Sequence, residues 1–168
     1  MPVSIDTFRS VMSRWTSGIT VVTSQHGDVR SGMVASSFSS VSADPVSVLF
    51  CADHRTRTFP IVRDSGVFAV NILSSQQQDT FWLFAGMKGD PAADRFAGLE
   101  TFTSVTGAPI LRHSIAWMDC RVIAEHPGGK THSIFVGEVL EADFGDDEEL
   151  APLVYFNRKV RHLADPED

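Results

Sequence analysis

The first regular pattern in the chain is helical: Phe8, Val11, Met12 and Trp15 recur at spacings of three and four, with Ser4 or Asp6 available to cap the first turn. A short amphipathic helix is expected there. The period then changes. Ile19-Thr20-Val21-Val22-Thr23 is β-branched throughout, His26-Gly27-Asp28 supplies a turn and Val29 begins the return, which predicts a hairpin. From Gly32 to Ser42 small and hydroxyl side chains dominate, and after Asp44-Pro45 the run Val46 to Ala52 reads as a buried strand.

Further along, Thr56 can cap a helix running to Arg63, and Phe68 to Leu73 is a strand. Ser74 or Ser75 is then expected to cap a helix over Gln76 to Phe84, closed by Ala85-Gly86. From Met87 to Thr106 the glycines and Pro91 break any period, so a long loop is expected, with one helical turn at Ala92 to Phe96. Loops of that length in a small domain are often functional. Two long strands, Ser114 to Glu125 and His132 to Phe144, flank the turn Pro127-Gly128-Gly129-Lys130. In the second, Ile134, Val136 and Glu138 share one face and Phe135, Gly137 and Val139 the other. Asp146 to Glu149 reads as an acidic turn, Leu153 to Phe156 as a last strand, and Arg158-Lys159-Val160-Arg161-His162 as a basic tail. The whole pattern predicts one mainly β domain over residues 1–168, a barrel with two or three peripheral helices.

Composition narrows the function. At 168 residues and 43% hydrophobic, the chain can build one ordinary core. A net charge of −7 argues against binding nucleic acid or an anionic membrane, since both need a basic face. The opening MPVSIDTFRS has no basic stretch leading into an apolar one, and no segment approaches the ~18 apolar residues of a membrane span, so a cytoplasmic location is expected. Cys51 and Cys120 stand alone and are expected to be small buried hydrophobes. The histidines, at 26, 54, 113, 126, 132 and 162, include no pair at the four-residue spacing of a helical metal site, so no metal is expected.

Two segments carry candidate chemistry. In Ser31-Gly32-Met33-Val34-Ala35-Ser36-Ser37-Phe38 the small residues let a planar ring approach the backbone, while hydroxyls and N–H groups can bond its heteroatoms or a ribityl chain. A serine-rich edge strand would look the same. In Asp53-His54-Arg55-Thr56-Arg57-Thr58, donors at a helix start, two threonine hydroxyls and Arg57 together suit a phosphate, although a capped helix with solvated arginines is the plain alternative. His132 opens a strand, where a neutral imidazole can hydrogen-bond a ligand. Ser36 and Ser37 do not sit in G-x-S-x-G, and no carboxylate pair has a catalytic arrangement. Chemistry here would have to come from a bound cofactor.

Taken in order, the segments resemble the flavin reductase family of FMN-binding split barrels, which includes the reductase components of two-component flavin-dependent monooxygenases. The matching stretches are Phe8-Arg9, Ser17 to Thr23, Gly32 to Ser42, Asp44-Pro45, Thr56-Arg57-Thr58, Phe68 to Asn71, Asp94 to Gly98, Gly107-Ala108-Pro109 and Ile134 to Val139, which together span almost the whole chain. The resemblance implies a homodimeric split β-barrel of Greek-key type that transfers a hydride from the nicotinamide C4 of NADH or NADPH to the N5 of FMN or FAD. Reduced flavin would then pass to a separate monooxygenase. It implies that Ser31, Gly32, Met33, Val34, Ser36 and Ser37 hold the flavin ring and ribityl chain, with Cys51, Ala52 and Asp53 beside it. Thr56, Arg57 and Thr58 would take the phosphate, and Leu83 and Phe84 would line the site. His132 would position the nicotinamide nucleotide together with Leu153, Val154, Tyr155 and Phe156. Such chemistry needs ring stacking and fixed donors rather than an acid–base pair.

The sequence departs from the family pattern at Val34, where threonine is common, at Val160, where an aromatic is frequent, and at Lys130, where an acidic residue is common. The weakened nicotinamide end at Val160 leaves an FMN-retaining electron-transfer protein as the rival reading, and a split-barrel binder of haem or pyridoxal phosphate as a third.

Overall fold

The β-branched run that begins at Ile19 becomes the inner part of an antiparallel sheet because both of its faces are covered. The computed structural model describes residues 2–90, 93–146 and 150–163. Its elements are α1 (Ile5–Met12), β1 (Ser17–Gly18), β2 (Thr20–His26), β3 (Val29–Ala35), β4 (Ser39–Ala43), β5 (Val46–Asp53), α2 (Thr58–Ser65) and β6 (Val67–Ile72). They continue with α3 (Gln78–Phe84), β7 (Thr101–Phe102), β8 (Ile110–Leu111), β9 (Ala116–Pro127), β10 (His132–Phe144), β11 (Val154–Phe156) and β12 (Lys159–Arg161). Seven strands pair in the order β3-β2-β6-β9-β10-β5-β4, beside a three-stranded sheet β1-β11-β12 and a β7-β8 pair.

Along β2 alternate residues enter different cores. Val22 joins a cluster built on Phe50, Phe68 and Phe135, while Val21 joins one with Leu73, Phe81, Phe84, Phe96 and Leu153. Burial on both faces is why this strand reads as a continuous apolar run. In the first cluster Phe50 meets Phe68 edge-on at 4.9 Å and stacks on Phe135 at 5.4 Å. Rings so buried contribute about 1.5–3 kcal/mol each. Gly137 faces this core with Phe135, as the alternation of β10 predicts; a Cβ there would lie 2.3 Å from the Phe68 ring.

The mainly β reading holds, but the ladder does not close into the expected barrel. Edge strands β3 and β4 share no pairing. At the seam Ser37 substitutes for a strand: its hydroxyl accepts from the Cys51 N–H at 3.0 Å and donates to the Cys51 carbonyl at 3.4 Å.

Several local expectations are revised. The first helix ends at Met12, before Trp15, with Ser4 as its cap, and none of its residues is buried. The second begins at Thr58, not Thr56, although the Thr56 hydroxyl accepts from the Phe59 N–H at 3.3 Å. The third begins at Gln78, and no serine caps it. Gln77 turns back instead, its Oε1 accepting from Ser74 N at 3.1 Å, and the Ser74 hydroxyl is buried without a partner. The long loop contains β7, and its turn runs over 94–98, while Ala92 lies outside the described residues. The basic tail is a strand: Asn157 and Arg158 adopt left-handed φ of 50° and 61°, a tight hairpin turn that folds Lys159–Arg161 onto β11. Alternation explains the misreading, since Val160 points inward between two exposed cations. Of the acidic turn, Asp146 is exposed and 147–149 lie outside the described residues. Cys120 is buried, whereas Cys51 is only half-buried.

Candidate functional site

Four segments distant in sequence meet around a hollow of about 300 Å³. Edge strand β3 supplies Arg30, Ser31, Gly32, Met33 and Val34. The loop entering α2 supplies Arg55, Thr56, Arg57 and Thr58; the end of α3 supplies Phe84 and Ala85, and the following loop supplies Ala93 to Phe96. The α2 loop is held in shape by its own residues. Thr56 donates to the Asp53 carbonyl from both its N–H, at 2.9 Å, and its hydroxyl, at 2.7 Å.

Strand β3 and helix α2 are joined at the hollow, where the hydroxyls of Ser31 and Thr58 lie 3.0 Å apart. Gly32 is required by the close approach of Phe84: a Cβ would stand 2.6 Å from that ring. The absent side chain lets the Phe84 ring pack directly on β3 at the edge of the hollow.

The electrostatics are strongly cationic. Arg30, Arg55, Arg57 and Arg95 all line the hollow, and Asp94 is the one carboxylate among its described lining residues. Arg55 is tied to Asp53 at 2.6 Å, which holds that carboxyl far below the usual carboxylate range. Arg30 is tied to Asp94 at 2.7 Å and lies over the Phe96 ring; the bond from Arg30, followed by one from the Phe96 N–H, pulls the Asp94 carboxyl down. Arg95 donates to the Phe84 carbonyl at 3.0 Å. Burial, and then the charge of Arg57, lower its pKa. Guanidiniums crowded together beside hydroxyls favour an anion between them, and the helix start adds N–H donors. The donor set therefore fits a phosphate ester, and the wall of β3 and Phe84 beside it suits a planar ring.

Of the residues singled out in the sequence, Ser31, Gly32, Met33, Val34, Thr56, Arg57, Thr58 and Phe84 come together here. Others do not line this hollow. Ser36 is exposed, Ser37 and Cys51 bond to each other at the seam, Ala52 is buried, and Asp53 restrains Arg55; Leu83 is half-buried on α3. His132 lies opposite Asp53 in the β5–β10 register and lines a separate hollow of about 290 Å³ with His54, Glu125 and His126. Leu153 is in the second core and Val154 is buried beside it in sequence, while Tyr155 and Phe156 are half-buried on β11, Tyr155 packing against that core. Arg30, Arg55, Asp94, Arg95 and Phe96 were not picked out as ligand-binding from the residues alone. The loop that carries Arg95 has no periodicity, so only its length and the family-like stretch Asp94 to Gly98 marked it, and neither gave Arg95 a role.

The fold is mainly β, and the hydroxyl- and arginine-lined hollow at the edge of its sheet has the chemistry to suit a phosphorylated, ring-bearing ligand. The chain belongs to the flavin reductase like domain family, which it matches over residues 12–164. It is 39% identical over 137 residues to HsaB, the reductase subunit of a flavin-dependent monooxygenase of Mycobacterium tuberculosis, covering 80% of this chain and 71% of that one. It is 35% identical over 161 residues to the reductase component of 4-hydroxyphenylacetate 3-monooxygenase of Thermus thermophilus, covering 96% and 98%. Among solved structures, the NADH:FAD oxidoreductase SgcE6 of Streptomyces globisporus in complex with NAD and FAD fragments superposes with a TM-score of 0.87 at 28% identity, covering 100% and 99%. Among the described residues no helix is long and apolar enough to cross a membrane.

Proposed function

We propose that this protein is an NAD(P)H-dependent flavin reductase that transfers a hydride to FMN or FAD and supplies the reduced flavin to a separate monooxygenase. One observation carries the reading: Ser31, the Thr56–Thr58 loop and Arg95, far apart in sequence, converge on a single hollow with phosphate-binding chemistry. Membership of the flavin reductase like family and the named activities of the relatives point the same way.

Bound flavin would supply the ring that accepts the hydride. The chain's own work is binding and orientation. Thr56, Arg57, Thr58 and Arg95 hold the phosphate, and Ser31 to Val34, with Phe84, form the wall for the ring; Ser36, Ser37, Cys51, Ala52, Asp53 and Leu83 serve the site from outside the hollow's lining. His132 positions the nicotinamide nucleotide, with Leu153 to Phe156 as the second nucleotide segment. Alignment of two bound rings is the main catalytic requirement, so the lack of an acid–base pair is no obstacle.

The assembly we propose is a homodimer of split barrels. Support comes from α1, where Ile5, Phe8 and Val11 expose 68%, 56% and 65% of their surface. An apolar helix face of this size on a single protomer marks a contact surface.

The test is steady-state oxidation of NADH and of NADPH by the purified protein, with and without added FMN or FAD. Flavin-dependent turnover is expected with at least one nucleotide. Absence of turnover with every pair would overturn the assignment.

A further inference from the structure

His54 touches the two regions that a flavin reductase must keep aligned: it is hydrogen-bonded to the strand bearing His132 and packed on the first turn of α2. Its backbone N–H donates to the Thr131 carbonyl at 2.9 Å, beside His132. Its side-chain Nε2 is 3.1 Å from the Ser133 hydroxyl, one residue beyond His132 on β10. Ser133 donates its single proton to Glu125 Oε1 on β9 at 2.6 Å. The serine oxygen can therefore only accept from His54, which fixes the hydrogen on Nε2. The imidazole also packs on Phe59, with ring centroids 4.5 Å apart, in the first turn of α2. Phe59 N–H in turn donates to the Thr56 hydroxyl, so the same turn carries Thr56 and Thr58.

We propose that His54 is a positioning residue, a clasp that sets the phosphate-binding loop at a fixed offset from the strand bearing His132. The inference rests on the flavin reductase reading above. His54 touches neither ligand. It acts through Ser133 and Phe59, and Glu125 restrains the Ser133 hydroxyl in its accepting orientation. Because it spans both regions, its loss should loosen flavin and nicotinamide binding together and, by relaxing the offset between them, lower the rate at saturation as well.

The experiment compares wild type, His54→Ala, His54→Gln and Ser133→Ala, all in the full chain. Flavin affinity is read by fluorescence titration, and KM and kcat by nucleotide oxidation. His54→Ala should raise the flavin Kd and the nicotinamide KM each by about fivefold to twentyfold, as loss of one hydrogen bond and its packing implies, with kcat falling alongside them. Glutamine places an N–H donor near the position of Nε2, so His54→Gln should recover most of the loss, and Ser133→Ala should resemble His54→Ala. The clasp is overturned if the two constants stay at wild-type values, if only one of them moves, or if glutamine recovers nothing. It is also overturned if kcat alone falls. A wild type that binds no flavin and oxidises no nucleotide overturns the reductase reading and the clasp with it, which separates that failure from an unaffected variant.

Discussion

The hydroxyls of Ser31 and Thr58 stand 3.0 Å apart and tie the edge strand β3 to the first turn of α2. This contact brings the two chemically suggestive segments of the sequence into one wall, and Thr56 and Arg57 complete it. Replacing both Thr56 and Thr58 with alanine should weaken flavin binding by about 1–3 kcal/mol, as expected for lost hydrogen bonds to a charged group. Isothermal titration with FMN and FAD measures it. Unaltered affinity would place the phosphate elsewhere.

Gly32 is a sharper probe of the ring wall. A methyl at this position would meet Phe84 at 2.6 Å and Thr23 at 3.2 Å, so the aromatic ring must yield. Gly32→Ala should cost about 1–3 kcal/mol of stability through overpacking. It should also lower flavin affinity, because the displaced Phe84 lines the same hollow. Urea denaturation and flavin titration on one preparation give both values; wild-type stability would show that the wall has room to spare.

The two cysteines should behave differently towards a thiol reagent. Burial, and then the neighbouring Asp119 carboxylate, push the Cys120 thiol up to about 12. At pH 8 its thiolate fraction is then on the order of 10⁻⁴. Labelling of native protein, read by mass spectrometry, should therefore modify half-buried Cys51 and spare Cys120 until urea is added. The sign of the pH dependence follows. A folded pKa raised above the unfolded value of about 8.5 contributes stability that is complete below that pH and is lost as pH climbs towards 12. A Cys120→Ala variant should show a flatter decline in its urea midpoint across that alkaline range.

The proposed homodimer depends on the outward face of α1. Phe8→Glu should shift the protein to monomer in analytical ultracentrifugation, with far-UV circular dichroism unaltered, because no residue of α1 is buried within the protomer. A dimer that persists would move the contact to another surface.

Much of the β framework was readable because burial imposes period. The continuous run through Val21 and Val22 and the alternation through Phe135 and Gly137 are direct imprints of a sheet covered on two faces or on one. Both halves of the candidate site were legible too, since Ser31 to Val34 and Thr56 to Thr58 carry unusual chemistry for their elements. Their meeting was not, because the 3.0 Å contact between Ser31 and Thr58 spans 27 residues. Arg95 was hidden for a different reason: it sits in a loop where neither strand nor helix spacing operates. Val160 was read as part of a basic tail because a two-residue turn at Asn157-Arg158 leaves little trace in composition. Gln77 was missed because its side chain, from the position just before the helix, reaches back to the Ser74 N–H, which reverses the usual serine pattern.

Arg95 ends α3 as well as lining the hollow, since its guanidinium holds the Phe84 carbonyl. Any anion that draws on the same guanidinium is thereby coupled to fraying of the helix end. Occupancy of the hollow becomes legible in backbone amide exchange around Phe84 to Gly86, at a distance from the ligand itself.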